Sequence, residues 1–531
     1  MRVRVRDWRI LRRQTVAEAT VIIVIITFLS KVIGYIRNVL VANYFGASAQ
    51  TDAFFVALLI PSMLLGIIAG GLHLVVIPLF TEKRKENPEN AKVFVNQIFF
   101  ITAIVLFGFS MIMLAFPTVF VKLVAYGFKG ERLMLAVYFM RFLIIFGFFN
   151  VFTGFFTGIF QSDKQFLYPS ITSLIANSLL TLSLFLFTPF IGINSWIVGE
   201  ILFALFAFSV LFIALRWKKG FFRQFYLKNM DWSGIRHFGA LLLPIIFTSG
   251  IAALNQIVDK TVASSLATGS IAALSFAQRI YLIPIGLLAG PLAISIYPSF
   301  SSLAVNKNQI GYAETFRKSV SFMMYLMIPI SVIFIFFSHT IVRILFQHGA
   351  FDVHAANVTA FAVSMYSIGI FFLATNNLLR RAFFSFQDTK TPLYLSIIII
   401  FLNIVFNLTL SRIWGIGGIA LATTIAATIG FFLYIYVLRK KKYITKVRYR
   451  PLLKEAMKII TASTIIGILA LLFRNFITSV NTLVSLIGRF TLVVVILFIV
   501  YIFFTFILRS EGFDMFSFYV KKYYLKMIKK T

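Results

Sequence analysis

Along this chain polarity changes on the scale of a bilayer rather than of a helical turn. Predominantly apolar runs of about 20 residues, the number a helix needs to cross a hydrocarbon core, are set apart by short polar, proline- or glycine-bearing breaks. They predict fourteen spans, at roughly 18–43, 52–80, 93–116, 133–160, 168–187, 192–216, 235–264, 270–301, 315–338, 356–385, 391–411, 414–438, 453–473 and 486–508. The fold class is therefore an all-α polytopic membrane protein. Basic residues collect in alternate breaks: the leader at 1–17, TEKRKENPENAK after the second span, RWKKGFFRQFYLK after the sixth, RKKKYITKVRYR after the twelfth, and KKYYLKMIKK in the tail. The breaks at 44–51 and 187–191 carry no Lys or Arg. Lys and Arg favour the cytoplasmic side, so the pattern predicts a plasma-membrane protein with both termini in the cytoplasm. The first apolar run lacks a clear small-residue cleavage site and reads as a retained span.

Composition narrows the chemistry. The 531 residues are 60% hydrophobic, with 64 Phe and a mean hydropathy of +0.93. The net charge of +33 sits mainly between spans, where it meets lipid headgroups and calls for no nucleic acid. Without cysteine there is no disulfide, thiolate metal site or thiol catalysis. Five histidines form no ligand spacing, and no GxxxxGK[ST] loop is present. Neither a metal nor a nucleotide cofactor is expected, and any energy-requiring step would draw on the membrane potential or on an unidentified coupling cation.

A repeat divides the chain. Shifted by 220 residues, Ala69–Gly71 falls on Ala289–Pro291, and Pro78-Leu79-Phe80 on Pro298-Ser299-Phe300. IFQSDKQFLYPSI, with Asn177 and Gly192 beyond it, resembles SFQDTKTPLYLSI, with Asn403 and Gly415 beyond it. Six spans per repeat predict two parallel lobes around a central cavity, with substrate at the repeat interface. The expected organisation is an N-lobe at 18–216, a basic linker at 217–234, a C-lobe at 235–438, two added spans within 439–508, and a basic tail at 509–531.

Charges within apolar runs carry the functional signal, because each costs roughly 2.5–3.5 kcal/mol at a span centre. Lys31 and Arg37 lie within two turns of each other, and Arg279 stands one turn before Pro284. These three are the candidate anion site; for Lys31 and Arg37 the plainer alternative is snorkelling to headgroups. Asp52 reads equally well as a helix N-cap or as a cavity group. Gly34, Pro61, Gly70, Gly71, Pro284 and Gly290 are candidate gating positions, since proline and glycine let a helix bend. Asp259 and Lys260 are secondary candidates, with a local charge pair favoured over ligand contact. Arg380 and Arg381 read as topogenic, and Arg141 and Glu200 as internal hydrogen-bonding groups. GFFTG at 154–158 is a small-xxx-small packing match.

S-K-x-x-G-x-x-R-(x8)-G-A-(x4)-D-A-F from Ser30, AQRIYLIPIGLLAGPLAISIYPSFS, ILFQHGAFD and RRAFFSFQDTKTP together resemble the MurJ (MviN) lipid II flippases of the multidrug/oligosaccharidyl-lipid/polysaccharide exporter superfamily. The resemblance implies a V-shaped cavity whose arginines take the diphosphate of an undecaprenyl-linked muropeptide. By position, Arg37, Asp52 and Arg279 match, and Lys31 stands where the family usually has Arg. It also implies a lipid-tail groove shaped by the last two spans, a bacterial plasma membrane, and cell-wall synthesis machinery as partner. The chain departs at Leu65, Gly66 and Gly70, where the family typically has two arginines and a glutamate. A flippase for another lipid-linked oligosaccharide (teichoic acid, capsule or exopolysaccharide) and a cation-coupled drug exporter are the alternatives. No loop is long enough for a membrane glycosyltransferase's catalytic domain.

Overall fold

The computed structural model describes residues 16–163, 165–222, 230–480 and 482–528. The expected basic leader lies almost wholly outside these residues, as does 223–229 of the expected linker. Among the described residues every regular element is helical: α1 (Val16–Phe45), α2 (Ala49–Glu86), α3 (Pro88–Ala115), α4 (Pro117–Val124), α5 (Gly130–Ser162), α6 (Leu167–Ile191), α7 (Asn194–Lys219), α8 (Trp232–Ser264), α9 (Ser270–Pro284), α10 (Gly290–Val305), α11 (Gln309–Leu345), α12 (Val353–Ile368), α13 (Ile370–Ser385), α14 (Lys390–Lys440), α15 (Tyr449–Thr478), α16 (Leu483–Ile507) and α17 (Glu511–Ile528). A π-helical turn, Ile285–Ala289, joins α9 to α10.

All fourteen expected spans fall on helix. Eleven helices have the length and composition to cross a membrane, and the α12–α13 pair, bent by 47°, makes a twelfth. The 51-residue α14 is twice the length a bilayer needs and turns at Trp414–Gly415, so it supplies two spans. The 33-residue α8 has the length for the remaining one.

The chain forms two compact units that part between Ile257 and Val258, inside α8. In the first, α5 lies against α2 along a glycine face. A Cβ on Gly147 would stand 2.8 Å from the Pro61 Cβ, and one on Gly158 would stand 3.0 Å from the His73 carbonyl oxygen. Between apolar helices in lipid, close backbone packing replaces the hydrophobic driving force, so these glycines set the spacing. GFFTG is thus a working contact, with Gly154 facing Ala69. Nearby, Phe99, Phe156, Phe212 and Phe222 pack ring on ring at 5.0 to 6.3 Å.

In the second unit, α11 packs with α12, α15, α16 and α17. The expected tail proves to contain α17, an ordered helix bolted in place. Glu455, buried in α15, accepts from the Ser510 hydroxyl and from the Gly512 amide at 3.1 Å. Arg317 pairs with Glu511, and Tyr325 packs on Gly512 and meets the Phe516 ring at a tilt, centroids 6.1 Å apart.

The repeat is written in the backbone of each unit. Gly192, closing α6, has φ 55° and ψ −135°; Gly415, at the turn in α14, has φ 55° and ψ −132°. A Cβ is strained there. Each unit also has a carboxylate clamp at a helix end. Asp163 pairs with Arg84 and Lys219, and Asp388 with Lys441 at 2.8 Å. Burial, and then the adjacent Arg84, press the Lys219 ammonium down to about 8, whereas Asp388 raises that of Lys441.

Candidate functional site

In the first unit α1, α2, α5, α6 and α7 line an open cavity of about 640 Å³. Lys31, from α1, lines it together with Gly70 and His73 of α2, Thr153 and Thr157 of α5, and Asn177 of α6. Most of its lining side chains are polar, an unusual wall among membrane helices, where such groups mark functional paths. Asn177 donates to the Ser30 hydroxyl at 3.1 Å and to the Ser173 carbonyl at 3.0 Å. His73 Nδ1 lies 3.2 Å from the Gly154 carbonyl; a carbonyl can only accept, so the proton sits on Nδ1.

The other candidates of this unit stand apart from the cavity lining. Arg37 is half-buried two turns beyond Lys31, and its Nε is buried with no hydrogen-bond partner. Asp52 is fully buried, and Arg132 of α5 approaches it at 3.9 Å. Ser48, not Asp52, is the α2 N-cap, accepting from Thr51 at 3.3 Å. Asp52 sits in the first turn, where the helix dipole favours an anion. Gly34 has open space where a Cβ would project. Pro61 and Gly71 are packing positions: Pro61 meets Gly147, and a Gly71 Cβ would stand 2.7 Å from Leu242 of α8. Helix α2 passes through Pro61 and Pro78 without a break in its helical run.

In the second unit the proline–glycine positions coincide with a change of helix type inside one continuous span. Pro284 ends α9, the π turn follows, and Gly290 opens α10. Arg279 is half-buried in α9, beside Gln278. Gln278 belongs to a buried network with Asp259 at its centre. Asp259 Oδ1 accepts from Asn407 at 2.8 Å and Oδ2 from Gln278 at 3.3 Å. Gln278 also donates to the Tyr366 hydroxyl, Asn407 to Asn403, and Asn403 to Thr423. Asp259 thus ties α8, α9, α12 and α14 together, well beyond the local pair with Lys260 that its spacing suggested. Lys260 itself donates to Ser275 of α9. Both contacts fix the register of α9 and hence the height of Arg279.

Sequence reasoning placed the cations and missed their surroundings. Arg132, His73, Thr157 and Gln278 have no pattern of their own in the sequence; Asn177, Asn403 and Gly192 were visible through the repeat. Glu200 accepts from the Trp196 indole at 3.1 Å, an internal bond as expected, whereas Arg141 is exposed. Among the described residues no cluster of three metal-ligating side chains occurs.

Two bundled helical units, apolar spans that carry ionisable residues and a cavity lined partly by polar side chains are the features of a polytopic membrane transporter. A solved structure titled "Lipid II flippase MurJ, inward closed conformation" is similar over 92% of this chain and 98% of its own, with TM-score 0.77 at 24% identity. An inward-facing multidrug resistance transporter of the MATE family in the MOP superfamily covers 78% of this chain and 95% of its own, with TM-score 0.66 at 16% identity; both likenesses concern the fold. The model of the lipid II flippase MurJ family matches residues 41–508, and the chain belongs to that family. A probable lipid II flippase MurJ of Buchnera aphidicola subsp. Schizaphis graminum is 30% identical over 438 residues, 78% of this chain and 82% of the relative. One of Borreliella burgdorferi is 26% identical over 430 residues, 80% and 83% of the two chains.

Proposed function

We propose that this protein carries undecaprenyl-diphosphate-linked peptidoglycan precursor, lipid II, from the inner to the outer leaflet of the bacterial plasma membrane by alternating access, without catalysing a bond change. Lys31 and Arg37 are the cations of the first unit assigned to the diphosphate, and Arg279 is the candidate cation of the second unit. The observation that carries the reading is Arg37: a guanidinium nitrogen buried within a membrane bundle and unpartnered. A buried donor left unmet costs about 1–3 kcal/mol, more when charged, and a diphosphate oxygen is a strong, charge-assisted acceptor for it. Lys31, on the cavity wall of the same helix, adds a second positive charge.

The π turn after Pro284 is the flexible element on this reading, with Gly290 and the open Gly34 and Gly70 positions allowing helix adjustment. Both termini face the cytoplasm, where the anionic leaflet meets the basic loops. Reset is driven by the membrane potential, worth about 2.3 kcal/mol per charge per 100 mV, or by a coupling ion whose charge the buried Asp259 would register. Cell-wall synthesis enzymes are the partners that would consume the product. The test is translocation of lipid II in proteoliposomes by wild type and by Arg37→Ala; an unimpaired variant overturns the assignment.

A second reading has one specific observation behind it. Leu65, Gly66 and Gly70 offer no charge, and Gly70 leaves open space on the cavity, which suits a different lipid-linked oligosaccharide. Failure to rescue cells depleted of their own lipid II flippase, with rescue of a teichoic acid or capsule export defect, would favour it.

A further inference from the structure

Arg380 and Arg381 are topogenic charges by their sequence position, and their surroundings give them a second use. Both are half-buried in α13, five and four residues before it ends at Ser385. At 1.5 Å per residue that is roughly 6–8 Å inside the helix end. On the side assigned to the cytoplasm, the other half-buried cations among the described residues meet a carboxylate or a backbone carbonyl. Lys83, Lys92, Lys219, Arg317 and Lys458 pair with carboxylates, and Arg216 donates to the Phe222 carbonyl. No ion pair among the described residues includes Arg380 or Arg381. Arg380 donates to the neutral Asn377 amide oxygen, and the Arg381 guanidinium stands 5.9 Å from the Tyr297 ring centroid of α10. Asp388, three residues beyond α13, is engaged by Lys441, Tyr443 and the Thr391 amide.

The repeat shows how far the second unit departs from the first at this place. Carried back from the match of Phe160 with Phe386, its register sets Arg380 on Gly154 and Phe384 on Gly158. In the first unit those glycines bring α5 against Ala69 and His73 of α2. In the second unit the same positions hold long side chains, and Arg381 meets Tyr297 of α10. We propose that Arg380 and Arg381 form a site for an anionic phospholipid of the cytoplasmic leaflet, holding its headgroup phosphate. A guanidinium matches phosphate with a planar fork, and basic pockets between spans on the cytoplasmic side take anionic headgroups. Helix α14, packed beside α13, opens with an exposed apolar face for the acyl chains: Tyr394, Ile398 and Phe401, at i, i+4 and i+7. The two charges are present in every state of the transporter, so they call for an abundant partner rather than for a scarce cargo. The inference rests on the orientation proposed above and not on the cargo.

The full-length protein in neutral-detergent micelles is titrated with dioleoyl phosphatidylglycerol and, as the zwitterionic control, dioleoyl phosphatidylcholine, with native mass spectrometry counting bound lipid. Wild type is expected to hold phosphatidylglycerol about tenfold or more tightly than phosphatidylcholine, and Arg380→Gln/Arg381→Gln to lose that preference. This variant removes two charges from a net +33, so general attraction is scarcely altered. Lys446→Gln/Lys454→Gln removes two exposed charges from the same side and should stay within about twofold of wild type. Arg380→Lys/Arg381→Lys keeps the charge without the planar fork and should weaken binding about threefold or more. In phosphatidylcholine alone the Gln variant should unfold no earlier than wild type, because the charges it removes have no anion there. An earlier midpoint would show the pair to be satisfied within the protein, against the proposal. Phosphatidylglycerol binding lowered no more by Arg380→Gln/Arg381→Gln than by the exposed-lysine control overturns the site. A lipid II titration separates the other source of phosphate. Lipid II binding lowered by Arg380→Gln/Arg381→Gln, with phosphatidylglycerol binding unchanged, gives the pair to the cargo and overturns the phospholipid assignment.

Discussion

Asp52 is the site residue whose role the geometry redefines, and that role can be measured. Its carboxylate is fully buried, with Arg132 Nη1 3.9 Å away and the Arg132 guanidinium 5.0 Å from the Phe128 ring centroid. Two unit charges at that distance attract by about 4 kcal/mol at an effective dielectric of about 20. Arg132 retains some contact with solvent, 19% of its side chain, so part of this is screened. Removing one partner of a buried pair costs about 3–5 kcal/mol, and the long distance places Arg132→Ala near the lower end, about 3 kcal/mol. Asp52→Asn removes the charge that needs a partner and should cost about 1 kcal/mol, the worth of one ordinary hydrogen bond. The double variant should then be more stable than Arg132→Ala alone, with a coupling of about 2 kcal/mol in the cycle. Trp196 is a built-in reporter, because its ring stacks on Phe54, two residues from Asp52, with centroids 3.7 Å apart. Unfolding in mixed micelles, followed by tryptophan fluorescence, gives the four free energies. A double variant as unstable as the two losses added together would refute the pair. Transport lost in Asp52→Asn at unchanged stability would return Asp52 to the gating role its position first suggested.

Two further outcomes follow from local geometry. Gly192→Ala and Gly415→Ala should each destabilise by about 1–3 kcal/mol. Neither position has an atom within 4 Å of the added Cβ, so the cost is torsional and the two losses should match; unequal losses in the same unfolding assay would separate the repeats. Glu455→Ala should free the first turn of α17, with amide exchange at 511–516 accelerating by about tenfold or more for loss of a charged acceptor. Unchanged exchange would mean that Arg317 and the Tyr325–Phe516 packing hold the helix without the cap.

Much of the fold was legible because lipid enforces a length rule. A helix must cross about 30 Å of hydrocarbon, and all fourteen expected spans fall on helix, including the two halves of α14 that its unbroken hydropathy would hide without the Trp414–Gly415 break. The repeat was legible wherever backbone geometry demands a residue type: Gly192 and Gly415 hold the same positive-φ turn. What escaped was whatever depends on partners distant in sequence. Asp52 read equally as a cap or a cavity group because nothing nearby announces Arg132, 80 positions on. Asp259 looked like half of a local pair because Asn407 lies in α14. The tail looked like a basic extension because the Glu455 that caps α17 belongs to α15. Proline and glycine mark where a helix tolerates a change without saying which: α2 stays α-helical through Pro61, while the chain after Pro284 opens into a π turn.

The central claim is that cations within the spans replace water around a lipid-linked diphosphate. It is tested most directly by lipid II translocation in proteoliposomes bearing wild type, Arg37→Ala or Arg279→Ala at matched protein content. Loss of a charge-assisted hydrogen bond worth about 1.5–3 kcal/mol predicts translocation slowed by roughly 10- to 150-fold in each variant. Wild-type rates in both would contradict the account.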